Sequence, residues 1–141
     1  MKGRYFLDTN IIVYSFDHNN PDKQKTAQEL IFQALKTGNG LISYQIIQEF
    51  INVSTRKFAQ PLSLPDVVKY YEQVLEPLFE IIPSSELYMK ALEITDRWKY
   101  SFYDSLVISA ALEGNCSILY SEDLQDGQKI EQLKIVNPFK E

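Results

Sequence analysis

The chain has 141 residues, 45% of them apolar, and sets 14 Lys and Arg against 19 Asp and Glu for a net charge of −5. That length is expected to form one domain over 1–141 with a core that needs no covalent staple, and a single cysteine, Cys116, excludes a disulfide framework or a Cys-rich metal site. No apolar run approaches a membrane span or a signal-peptide core, so a cytoplasmic protein is expected. The acidic balance argues against nucleic-acid binding by bulk charge, although bound metal ions can invert the sign of one site.

Short apolar runs alternate with longer amphipathic stretches, a pattern that predicts a mainly parallel sheet of about five strands between helices. The first strand is Tyr5-Phe6-Leu7, ending at Asp8-Thr9-Asn10 and a turn into a helix. Residues 23–36 repeat Ala27, Leu30, Ile31, Ala34 and Leu35 at helical spacing and stop at Gly38. A second strand over 41–43 feeds a helix from Tyr44 to about Arg56. Ser63 reads as an N-cap with Pro65 in the first turn, and Leu64, Val67, Val68, Tyr71, Leu75 and Leu78 then form one helical face. A strand over 79–82 follows, then a helix from Ser84 or Ser85 to about Trp98, and another from Tyr103 to Glu113 stopped by Gly114. Cys116 falls in the turn after it and reads as a small, semi-buried residue. Strands at 117–120 and 134–136 complete the sheet, with 121–131 expected as a loop holding a helical turn.

In open α/β sheets the ligand crevice lies outside the carboxyl ends of the strands. Asp8 and Asp123 fall there, Asp104 opens a helix at an equivalent junction, and Glu49 sits on the helix after the second strand. Four carboxylates at one rim, with no cysteine or histidine cluster, point to a hard divalent cation such as Mg²⁺ or Mn²⁺. Each acid also has a plainer reading. Asp8 can cap the helix that begins near Asn10. Ser101-Phe102-Tyr103-Asp104 has the form of a capping box, and Asp104 can pair with Arg97 or Lys99. Asp123 can be a polar turn residue, and Glu49 belongs to a stripe with Gln45, Gln48, Asn52 and Arg56 that a solvated face explains fully. The small polar neighbours Thr9, Asn10, Ser101 and Ser121 can orient carboxylates and water.

The segments Phe6-Leu7-Asp8-Thr9-Asn10-Ile11, Gln48-Glu49-Phe50, Tyr103-Asp104-Ser105-Leu106 and Tyr120 to Gly127 resemble, in order and spacing, the PIN-domain proteins, specifically the VapC toxins of toxin–antitoxin pairs. The resemblance implies an αβα sandwich and a Mg²⁺- or Mn²⁺-dependent endoribonuclease. It makes Asp8, Glu49, Asp104 and Asp123 the catalytic and metal-holding acids, with Asn10 and Ser121 orienting them. Glu122 and Asp126 are further acids near the last of these. Arg56, Arg97 and Lys99, with Lys23 and Lys25, are candidates for phosphate contacts. RNA is the implied substrate, and a homodimer and a small antitoxin are the implied partners. A PIN-like module that binds RNA or protein without cutting is the alternative. It would be expected to have a broken acid set, and no acid is missing here.

Overall fold

The computed structural model describes residues 3–140. Strand β1 (Arg4–Leu7) leads into helix α1 (Thr9–Tyr14) and then α2 (Pro21–Thr37). Pro21 sits in the first turn of α2, where its missing N–H costs nothing, and Gly38 closes the helix in the left-handed conformation at φ 75°. Strand β2 (Gly40–Ser43) runs straight into α3 (Tyr44–Arg56). Gly40 is required by space: a Cβ there would lie 2.4 Å from the Ala34 Cβ and 2.8 Å from the Tyr5 ring.

The stretch from Leu64 to Leu78 departs from a single regular helix. It comprises α4 (Leu64–Tyr70), a π-helical turn (Tyr71–Leu75) and the short α5 (Glu76–Leu78). Pro77 explains the widening, since it offers no N–H to the preceding turn and its ring crowds the carbonyl four residues back. Ser63 accepts from the Asp66 N–H as the predicted N-cap. Strand β3 (Phe79–Ile81) ends one residue earlier than expected and leaves Ile82 exposed. Helix α6 (Ser85–Trp98) is capped by Ser84, and α7 (Phe102–Glu113) by Ser101. Strands β4 (Cys116–Tyr120), β5 (Lys129–Ile130) and β6 (Leu133–Val136) follow.

Among the described residues the sheet thus has six strands rather than five, in the order β3-β2-β1-β4-β6-β5, parallel except for β5 against β6. The extra strand lies within the segment expected to be a loop. Ile130 pairs with Leu133 across a tight turn in which Glu131 takes φ 56°, and both apolar partners are buried.

The chain order generates three layers. From β1 to β3 the connections step in one direction; the connection from β3 to β4 returns across the sheet. Right-handed crossovers in opposite directions lay their helices on opposite faces. Accordingly α2 packs on β2 with α1 and α5 beside it, whereas α6 pairs with α7 and α7 packs on β4 and β2. The result is the expected αβα sandwich. Its strands contribute Phe6, Leu7, Leu41, Ile42, Leu119 and Ile135 to the core, all essentially inaccessible to water. Helix α7 is buried along its whole middle, residues 105–112, so its two inner hydroxyls need partners. Ser109 donates to the Leu87 carbonyl and the Thr95 hydroxyl donates to Ser105, tying α7 to α6. Cys116 is fully buried, deeper than the sequence implied, and burial pushes its thiol up to about 12.

Candidate active site

The direction of strand-to-strand connection reverses between β1 and β4, the switch point at which open α/β sheets form their ligand crevice. The two strands pair through Leu7 and Tyr120, and the Asp8 N–H donates to the Tyr120 carbonyl at 3.0 Å. Asp8 and Ser121, the next residues along, therefore emerge side by side. The Ser121 hydroxyl donates to Asp8 Oδ2 at 2.8 Å, and the Thr9 N–H donates to Asp8 Oδ1 at 2.7 Å. Asp8 caps α1, as the plainer reading held, yet it is only 8% exposed and enters none of the ion pairs among the described residues. Burial pushes its carboxyl up to about 6. The hydrogen bonds from Ser121 and Thr9 pull the other way, and the charges of Glu49 and Asp123 add to the rise.

Glu49 and Asp123 are held on either side. The Thr9 hydroxyl donates to Glu49 Oε1, and Gln45, one turn earlier on α3, donates from Nε2 to Glu49 Oε2 at 3.2 Å. Asn10 Nδ2 donates to Asp123 Oδ2 at 3.1 Å, and the Asn10 carbonyl oxygen Oδ1 accepts from the Glu122 N–H at 3.2 Å. Ser121 also accepts from the Asp123 N–H, so one hydroxyl fixes both Asp8 and the loop that carries Asp123. Asp104 stands half-buried in the first turn of α7, where its N–H donates to the Ser101 hydroxyl at 3.1 Å. It joins the others through backbone: Gln45 Nε2, besides bonding Glu49, donates to the Tyr103 carbonyl at 3.2 Å.

The site is therefore linked but open. Asp8, Glu49 and Asp123 are each turned towards a neighbouring hydroxyl or amide, and among the described residues no three His, Cys, Asp or Glu side chains are gathered closely enough to hold a metal ion as they stand. The donor chemistry still suits a hard cation, because every group is a carboxylate or hydroxyl oxygen. One further observation points the same way. Carrying the Phe6-to-Leu41 register two residues onward sets Ser43 opposite Asp8, and Ser43 Oγ is a fully buried hydroxyl with no hydrogen-bond partner among the described residues. Two cavities of about 590 and 450 Å³ open near Phe16 and His18, and neither is lined by any of the four acids. Chemistry, and not cavity size, marks the rim of β1 and β4 as the candidate site.

The remaining predicted residues fall as follows. No ion pair among the described residues joins Arg97 or Lys99 to Asp104; the Arg97 guanidinium lies over the Trp98 ring, and Lys99 ends α6 with φ 65°. Arg56 is exposed in the last turn of α3. Lys23 is already paired with Glu122 at 2.6 Å, and Asp126 accepts from the Asn137 N–H and pairs with Lys140, so both extra acids have partners of their own. Sequence reading set Gln45 on the stripe with Glu49 but gave it no role, and overlooked Ser43. Gln45 was detectable from its position four residues before Glu49 on one helix face; nothing local marked Ser43.

Residues 5–126 match the family model described as PIN domain, and the chain belongs to that family. Three solved structures resemble it in fold. A toxin–antitoxin complex from Klebsiella pneumoniae is 18% identical, covering 95% of this chain and 97% of that one, with a TM-score of 0.67. VapBC2 from Rickettsia felis, bound to a DNA fragment from its promoter, is 20% identical over 93% and 96%, with a TM-score of 0.65. The Mycobacterium tuberculosis toxin VapC20, described as cleaving the sarcin-ricin loop, is 16% identical over 84% and 89%, with a TM-score of 0.59. No curated protein matches the chain at a significant level.

Proposed function

We infer that the chain is a metal-dependent endoribonuclease hydrolysing RNA phosphodiester bonds, and that it is the toxin of a toxin–antitoxin pair. The observation that carries this reading is Asp8. A buried carboxylate with no cationic partner, flanked by two further acids, is unfavourable unless something positive binds there.

In this reading Asp8 and Asp104 hold a Mg²⁺ or Mn²⁺ ion, with Glu49 and Asp123 completing the set. When bound, such an ion lowers the pKa of a water and offsets charge that develops on the phosphate. The chain's own groups do the rest. Thr9 and Gln45 fix Glu49, Asn10 fixes Asp123, and Ser121 fixes Asp8; every one of these donors is neutral, so the acids keep their charge for a cation. A carboxylate has about four lone-pair positions, and these bonds leave several of them free. Arg56, Arg97 and Lys99 would meet RNA phosphates around the acidic centre. His18, exposed on the turn before α2 and beside Gln24, is not needed.

The partners follow from separate observations. Tyr88, Met89 and Leu92 on α6, Phe102 and Tyr103 on α7, and Ile82 just beyond β3 form an exposed apolar set, with Met89 64% and Tyr103 68% accessible. A second copy of the chain would cover it. The Klebsiella and Rickettsia proteins were solved with antitoxins, which supports an antitoxin here, acting with the toxin in the cytoplasm. Among the described residues no helix is long and apolar enough to cross a membrane.

The test is cleavage of total cellular RNA with Mg²⁺, Mn²⁺ or EDTA by the wild-type protein and by Asp104→Asn. Discrete metal-dependent products are expected from the wild type and none from the variant, which keeps the shape of the site but loses a charge. Equal cleavage by both would remove Asp104 from the mechanism. Metal-independent cleavage would sink the reading as a whole.

A further inference from the structure

Beside the acids lies a second polar assembly that the nuclease reading leaves unused. Glu122 is gripped from two helices. The Tyr14 hydroxyl at the end of α1 donates to Glu122 Oε1 at 2.6 Å, and Lys23 Nζ, in the first turns of α2, donates to Oε2 at 2.6 Å. Lys23 Nζ also lies 4.7 Å from the centre of the Tyr14 ring and 5.7 Å from that of Phe139, and these two rings meet edge-on at 4.9 Å. Tyr14 and Lys23 thus close on one carboxylate from the far end of the chain, with Phe139 packed against both.

The next residue is Asp123. Its loop is secured on the inner side by Ser121, whose hydroxyl accepts from the Asp123 and Leu124 N–H groups while donating to Asp8. The Glu122 N–H is secured by Asn10, which also holds Asp123 Oδ2. Glu122 is therefore the outer anchor of a segment whose inner anchor is Asp8. If it were free, the exposed Asp123 would hang from one hydroxyl and one amide.

We propose that Lys23, Tyr14 and Glu122 form a clasp that fixes the Asp123 loop, making Lys23 a positioning residue for the acid cluster. Its charge state agrees with this role: hydrogen bonding to Glu122 raises Lys23 above the ordinary lysine value. The clasp also explains why a lysine can stand so near an acidic centre without occupying it. Its charge is spent on Glu122 and two aromatic faces.

This inference rests on the metal reading for its consequence, but not for its test. Lys23→Met keeps the aliphatic stem over the rings and removes the charge. Amide hydrogen exchange in EDTA is expected to speed up at residues 122–124 by about tenfold, with the strand amides unchanged, and Lys23→Arg is expected to restore protection. Unchanged exchange at 122–124 would overturn the clasp.

Calorimetric Mg²⁺ titration then gives a result of diagnostic sign. Deleting a nearby positive charge should by itself tighten cation binding. Loss of positioning should weaken it, by about tenfold, as for other groups that orient metal ligands. Weaker binding in Lys23→Met is expected; equal or tighter binding would overturn the positioning role. If the wild-type protein bound no Mg²⁺ or Mn²⁺, the metal reading would fall, and the exchange experiment would still decide the clasp.

Discussion

Asp8 is a residue whose burial and chemistry pull in opposite directions. Its carboxyl is raised from 3.8 to about 6, so between roughly pH 4 and pH 6 the folded chain binds more protons than the unfolded one. Stability from this group is therefore present at low pH and declines as pH rises through that window. At 1.36 kcal/mol per unit the full loss is about 3 kcal/mol. Glu122, whose pair with Lys23 lowers its carboxyl, and Asp126, lowered by the Asn137 N–H, work in the reverse sense, so the comparison needs a variant to isolate Asp8. In EDTA, Asp8→Asn is expected to melt higher than the wild type at pH 7.5 and to lose that advantage near pH 4. Adding Mg²⁺ at pH 7.5 should then raise the wild type alone. A variant that melts lower at pH 7.5 without metal would show that its hydrogen bonds outweigh its charge. Asp8, Asp104 and Asp123 stood out as candidates in the sequence because strand ends and helix starts announce themselves, whereas Glu49, midway along α3, had no such marker. The clasp was not. Glu122 lies 99 residues from Lys23 and 108 from Tyr14, and no local pattern reports a contact of that span.

At the scale of elements, periodicity and punctuation located β1, β2, α3, α6 and α7 closely, since each carries a clear apolar repeat or a Ser or Gly boundary. Two failures have physical causes. Strand β5 is two residues long, too short for any alternation to show, and exists because Ile130 is buried against its hairpin partner Leu133. The Leu64–Leu78 stretch kept its helical face in sequence, but Pro77 forces a wider turn that composition alone does not reveal. Helix α7 matters most for the site, because its first turn presents Asp104 and its cap is a single serine. Ser101→Ala is expected to cost about 1 kcal/mol, the usual value of an N-cap, read as a lower urea midpoint with unchanged slope. Because Gln45 also ties the Tyr103 carbonyl to α3, the loss should stay local to that turn, and a drop of several kcal/mol would mean the cap does more than close a helix.

For the molecule as a whole, the exposed apolar set on α6, on α7 and at Ile82 just beyond β3 is the feature a lone chain leaves unexplained. Light scattering at micromolar concentration is expected to give a dimer for the wild type and a monomer for a Met89→Glu, Leu92→Glu double variant that melts normally. A wild-type monomer would reassign that face to another partner. The sheet itself offers no alternative route to self-association. Its outermost strands, β3 and β5, are three and two residues long, so each presents only a stub of unpaired backbone to solvent. Copies of this chain cannot readily extend one another's sheets end on end. On the function proposed above, protein accumulating without a partner should therefore stay clear of fibrous aggregates and remain dispersed.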